Sequence, residues 1–217
     1  MIRAAMGFAI SLLAGLAGVG LVGANLGGAF AIVTVVAIAV PVLASGVEDG
    51  RGALLASVAG GIGAALASFA LLIGQAFTAS QVFSIALTML MFACAIAALV
   101  RLLMLARIPA VIASAAITVL ALAWLSWPVW LSPWLTSESL ARKLSSAHPL
   151  LAINAIAPQF GYWTQSKLMY RLTTLGQDVG LGATPTGIAA CVVVHAIIAT
   201  AAVIPVLAAR RTSVASA

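Results

Sequence analysis

The chain predicts an all-α integral membrane protein with six spanning helices and a long extracytoplasmic segment between the fifth and sixth. Three observations carry that prediction. Of 217 residues, 64% are hydrophobic and 6% charged, where a soluble domain carries roughly a quarter charged residues. The apolar residues gather into runs of about 20, the number a helix rising about 1.5 Å per residue needs to cross hydrocarbon. When the runs are threaded in succession, Arg3, Arg51, Arg101, Arg107, Arg210 and Arg211 all fall on one side, the asymmetry that orients membrane proteins. With a mean hydropathy of +1.23, residues 1–217 read as one polytopic domain.

The first span is placed at residues 5–24, ending at the turn residues Asn25, Gly27 and Gly28, and the second at 29–45. Pro41 is tolerable there because neighbouring helices can satisfy the carbonyl it frees. Arg3, the apolar core and the small residues Val22, Gly23 and Ala24 also fit a secretory signal, so residues 1–24 have a second reading. GVEDGRG, residues 46–52, is the first polar break. Spans three to six are placed at 53–77, 82–100, 108–128 and 188–208.

Counting Lys and Arg puts both termini in the cytoplasm, in an inner-membrane, multi-pass arrangement. The turns at 24–28 and 78–81 carry no basic residue. The net charge of +6 is scattered at the ends of apolar runs rather than clustered, so nucleic acid is not an expected partner. Trp124, Trp127, Trp130 and Trp134 crowd the outer end of the fifth span. They read as an aromatic belt at the lipid boundary, with an aromatic cage as the alternative. Cys94 and Cys191 fall at depths about 18 Å and about 6 Å below one surface by helical rise. They are expected to be unpaired packing residues, with no metal site.

Small residues recur on the third span, with Gly60, Ala64 and Ser68 on one ridge and Gly61 and Ala65 on the next. In lipid, helices associate by close van der Waals approach, which such ridges permit. They predict helix packing within the chain, or a homodimer contact. His195 is the ionisable residue set deep in a span. Without a second titratable group at that depth it reads as a neutral imidazole bonded to a hydroxyl or carbonyl rather than a proton relay.

Catalytic patterns are absent, and neither an enzyme nor a cofactor is expected. Glu48 and Asp49 lie across the membrane from Glu138 and Asp178, and there is no Walker loop, zinc spacing or nucleophile motif.

Residues 132–186 form the extracytoplasmic segment. Residues 138–146 read as a short helix capped by Ser137, with Glu138 and Arg142 at four-residue spacing. HPLLAINAIAP, residues 148–158, is apolar but too short to span, which predicts a re-entrant or interface-lying piece. Residues 162–175 read as an amphipathic surface helix stopped by Gly176. Its Trp163, Lys167, Tyr170 and Arg171 are candidates for an outer interface, meeting lipid phosphates or a partner.

Six spans, cytoplasmic termini, a polar break after the second span and a re-entrant segment before the sixth together resemble the ABC-2 type permeases. EDGRGALL, holding Glu48, Asp49, Gly50, Arg51, Gly52, Leu54 and Leu55, is similar to the stretch that in that family follows the second span. The resemblance implies a permease subunit without its own ATPase, in which Glu48, Asp49 and Arg51 help form the surface that a separate ATPase touches. The chain departs from the family pattern in having only Met1 to Ala4 before its first span and in its small cytoplasmic loops. Two other readings stand beside it: a non-catalytic scaffold subunit of a larger membrane complex, and a secondary transporter.

Overall fold

The computed structural model describes residues 9, 13, 26–46, 58–63, 65, 66, 72, 77–131, 137–156 and 187–215. They form six helices: α1 Leu26–Ser45, α2 Ala79–Leu105, α3 Ala110–Trp130, α4 Glu138–Ala147, α5 Pro149–Ile156 and α6 Ala189–Ala215. No strand occurs among them. Residues 58–63, 65 and 66, within the third expected span, are also helical. Among the described residues three stretches are long and apolar enough to cross a membrane, Ala79–Leu105, Ala110–Pro128 and Ala189–Ala208, and Ala29–Ser45 is a shorter apolar helix.

The helices long enough to cross a membrane are apolar all round, a pattern compatible with a membrane location. Their few hydroxyls therefore need a partner inside the helix. Thr34, Thr88, Ser126 and Thr200 each donate to the carbonyl four residues earlier, at 2.8 to 3.0 Å. Such back-bonding lets a hydroxyl sit in an apolar environment without an unmet donor.

Helix α2 is the hub, packing against α1, α3, α5 and most extensively α6. Its buried face includes Val82, Ile85, Met89, Phe92, Ile96 and Val100, spaced three and four apart along the helix. Gly61 lies against this face, where a Cβ would stand 3.0 Å from the Ala93 Cβ and 3.3 Å from the Leu90 Cδ1. Glycine is thus what lets the two helices approach. The close contact falls on the Gly61 ridge. Gly60, on the ridge singled out from the sequence, is buried as well, while Ala64 and Ser68 lie outside the described residues.

The ends of α2 are strongly defined, and it is longer than the 82–100 expected. At its start Thr78 and Gln81 form a capping box: the Gln81 amide donates to Thr78 Oγ1 (3.2 Å) and the Thr78 amide to Gln81 Oε1 (2.9 Å). Two amides that would otherwise be orphaned are met. At its end the Arg107 amide donates to the Met104 carbonyl and the Ile108 amide to the Leu103 carbonyl, at 3.0 and 3.2 Å. This is a Schellman motif, and it requires Arg107 to adopt φ 64°, a conformation that glycine reaches without strain. Leu103 and Ile108 both pack against the core, the apolar contact that accompanies this motif.

Between α3 and α6 the chain turns back in a short helical hairpin, α4 and α5. Ser137 caps α4, accepting from the Leu140 amide at 3.4 Å, as its sequence predicts. Helix α5 is almost wholly buried from Pro149 to Asn154, packing against α1, α2 and α4. Gln81 also fastens it, the Nε2 donating to the Ile156 carbonyl at 2.7 Å.

Candidate functional site

The hinge of the hairpin is His148, and its backbone explains its position. Pro149 opens α5, a place where the missing amide of proline costs nothing. A residue before proline is driven to extended backbone, and His148 has φ −84° and ψ 123°. It ends α4 and caps α5. The Leu151 amide donates to His148 Nδ1 at 3.2 Å, and the ring nitrogen on the other side, Nε2, lies 3.1 Å from the Leu125 carbonyl. Since a carbonyl only accepts, the proton sits on Nε2, and the neutral ring is satisfied at both nitrogens.

Around this imidazole lies an aromatic cluster. Trp124 is 5.7 Å from it at 52° and Trp127 5.9 Å away at 86°, the two indoles being 6.3 Å apart. Trp127 is 1% exposed, packed with Ala141 and Leu151. The Trp127 indole is thus buried against α4 and α5 rather than exposed as a belt residue would be. The buried Trp127 Nε1 and Ser145 Oγ have no hydrogen-bond partner among the described residues. Burial is the main force on His148, lowering its pKa to about 4 against the opposing Leu125 hydrogen bond, with nearby His195 adding to the decrease.

Helices α3 and α6 both pack on α2 but not closely on each other. The gap between them holds a cavity of about 400 Å³. Phe92 and Ile96 of α2 line it, with Leu120 and Trp124 of α3, Leu144 of α4 and His195 of α6. His195 is 5% exposed. Its Nδ1–H donates to the Cys191 carbonyl at 2.8 Å, with Cys191 Sγ 3.5 Å away. The Cys191 carbonyl is a partner of the kind the sequence leads one to expect for this imidazole. The Phe92 ring meets it edge-on at 5.3 Å and 87°.

Cys94 and Cys191 are free thiols. Among the described residues no cluster of three metal-ligating side chains occurs. Glu48, Asp49 and Arg51, and on the other expected surface Trp163, Lys167, Tyr170 and Arg171, lie outside the described residues. Of the residues singled out from the sequence, the structure brings together His195 and Trp124 across the cavity. His148 was not among the sequence candidates, although a histidine before a proline at the start of a short apolar run is a readable cap signal.

Among the described residues, these features define an all-helical arrangement with three helices able to cross a bilayer and an apolar cavity between two of them, compatible with a membrane location. No family model matches the chain, and no curated protein or solved structure is measurably similar to it.

Proposed function

We propose that the chain is the permease subunit of an ABC-2-like exporter, crossing the inner membrane six times with both termini in the cytoplasm and served by a separate ATPase. The observation that supports this reading is the α4–α5 hairpin, which precedes the last spanning helix and is seated among the helices at their Gln81 end. A re-entrant piece before the last span is what the resemblance to ABC-2 permeases leads one to expect. In this reading the hairpin gates the outer exit, and the EDGRGALL segment with the Arg101 to Arg107 end of α2 faces the ATPase. The arginine asymmetry supports that orientation.

Purification in mild detergent with identification of the co-purifying chains tests the proposal directly. An ATPase subunit is the expected companion. Charge reversal at Glu48 and Asp49 is expected to separate ATP hydrolysis from export while leaving the complex assembled. A stable set of redox or light-harvesting subunits with no ATPase would replace the exporter with the scaffold reading.

A further inference from the structure

The cavity between α3 and α6 carries an inference that goes beyond the exporter reading and does not depend on it. Its described lining is apolar apart from the histidine and the indole of Trp124, so charged or many-hydroxyl molecules would lose most of their water without replacement. The histidine in its wall is itself committed on one side. His195 Nδ1–H is spent on the Cys191 carbonyl, which leaves Nε2 as an acceptor with no hydrogen-bond partner among the described residues. An acceptor facing an apolar cavity is poorly served there, and the groups able to meet it are neutral donors.

We infer that this cavity binds an apolar alcohol or phenol, whose hydroxyl donates to His195 Nε2 and whose hydrocarbon body lies along Phe92, Ile96, Leu120 and Trp124. The about 400 Å³ available is room for about 15 carbon atoms, by the measure of the roughly 150 Å³ apolar cavity that takes up benzene. A carboxylic acid is a poor fit because its anion would enter without a cation among the described lining residues. A bare hydrocarbon chain fills the space but leaves Nε2 unmet.

The test uses the full chain in lipid nanodiscs with 11-bromoundecanol as probe, its bromine quenching tryptophan fluorescence from Trp124 on the cavity wall. The control is the methyl ether of the same probe, which keeps the chain and loses the donor. Saturable quenching by the alcohol is expected, with the ether binding about tenfold more weakly, tenfold being about 1.4 kcal/mol. His195→Phe keeps a ring in place and is expected to abolish the preference for the alcohol, while Ala147→Phe, which fills the cavity, is expected to weaken both probes. Equal binding of alcohol and ether by the unaltered protein overturns the inference without reliance on any variant. Quenching that rises in proportion to probe in the bilayer without saturating overturns it too, because that is partitioning into lipid. Persistence of the alcohol preference in His195→Phe removes the histidine from the account. Failure to find an ATPase leaves these outcomes unchanged, so the two readings fail separately.

Discussion

Acidification should loosen the α4–α5 hairpin, and His148 sets both the window and the size of the effect. In the folded chain its pKa is about 4 because burial disfavours the cation, whereas an unfolded histidine titrates near 6.5. Below about pH 6.5 the unfolded chain therefore holds more protons than the folded one, and stability falls as the pH falls. The loss is complete near pH 4, and a separation of roughly 2.5 pKa units corresponds to about 3 kcal/mol. The chemical reason is visible in the geometry: a proton added to Nδ1 removes the acceptor that the Leu151 amide uses. Stability would be measured by SDS titration in mixed micelles at pH 7.5, 6.5, 5.5 and 4.5. The comparison is His148→Asn, whose side-chain oxygen preserves a cap for Leu151 but does not titrate. The variant should be less stable at pH 7.5 by about 1 kcal/mol for the lost bond to Leu125, and its stability should change by much less across the window. Parallel pH profiles for the two proteins would refute the reasoning.

Three further outcomes are expected. Gly61→Ala should cost about 1–3 kcal/mol by overpacking against the Ala93 Cβ at 3.0 Å. Adding Ala93→Gly should recover part of that cost, giving a favourable coupling of about 1 kcal/mol in a double-mutant cycle; purely additive losses would deny the contact. Arg107→Gly relieves a left-handed residue at φ 64° and should raise stability by about 1 kcal/mol, read from the shift in the SDS unfolding midpoint. Gln81→Glu keeps the acceptor of the capping box but sets an oxygen against the Ile156 carbonyl, and should cost about 2 kcal/mol. Faster hydrogen exchange at the last turn of α5 is its expected signature.

The helices were readable from sequence where local chemistry dictates them. Ser137 before an amphipathic run gives α4 and its cap, and the prolines around HPLLAINAIAP announce a short non-spanning piece, which is the buried helix α5. The 29–45 run matches the apolar part of α1, and the fifth and sixth runs match the starts of α3 and α6 within two residues. Helix α2 outruns its expected limits because the capping box and the Schellman motif lie beyond the apolar stretch, in bonds that hydropathy does not register. The role of Trp127 was illegible for a related reason: an indole at the end of a span looks the same in sequence whether lipid or a returning hairpin covers it. The cavity depends on Phe92, Trp124 and His195 meeting across roughly a hundred residues, a juxtaposition that spacing along the chain does not encode.

The side chain of Gln81 joins two mechanical units through one rigid plane of atoms. Its oxygen closes the first turn of α2 while its nitrogen holds the last carbonyl of α5. Pulling the returning hairpin away must therefore either break that grip or twist the amide and unseal α2 at its mouth, so the insert and the central pillar yield in concert.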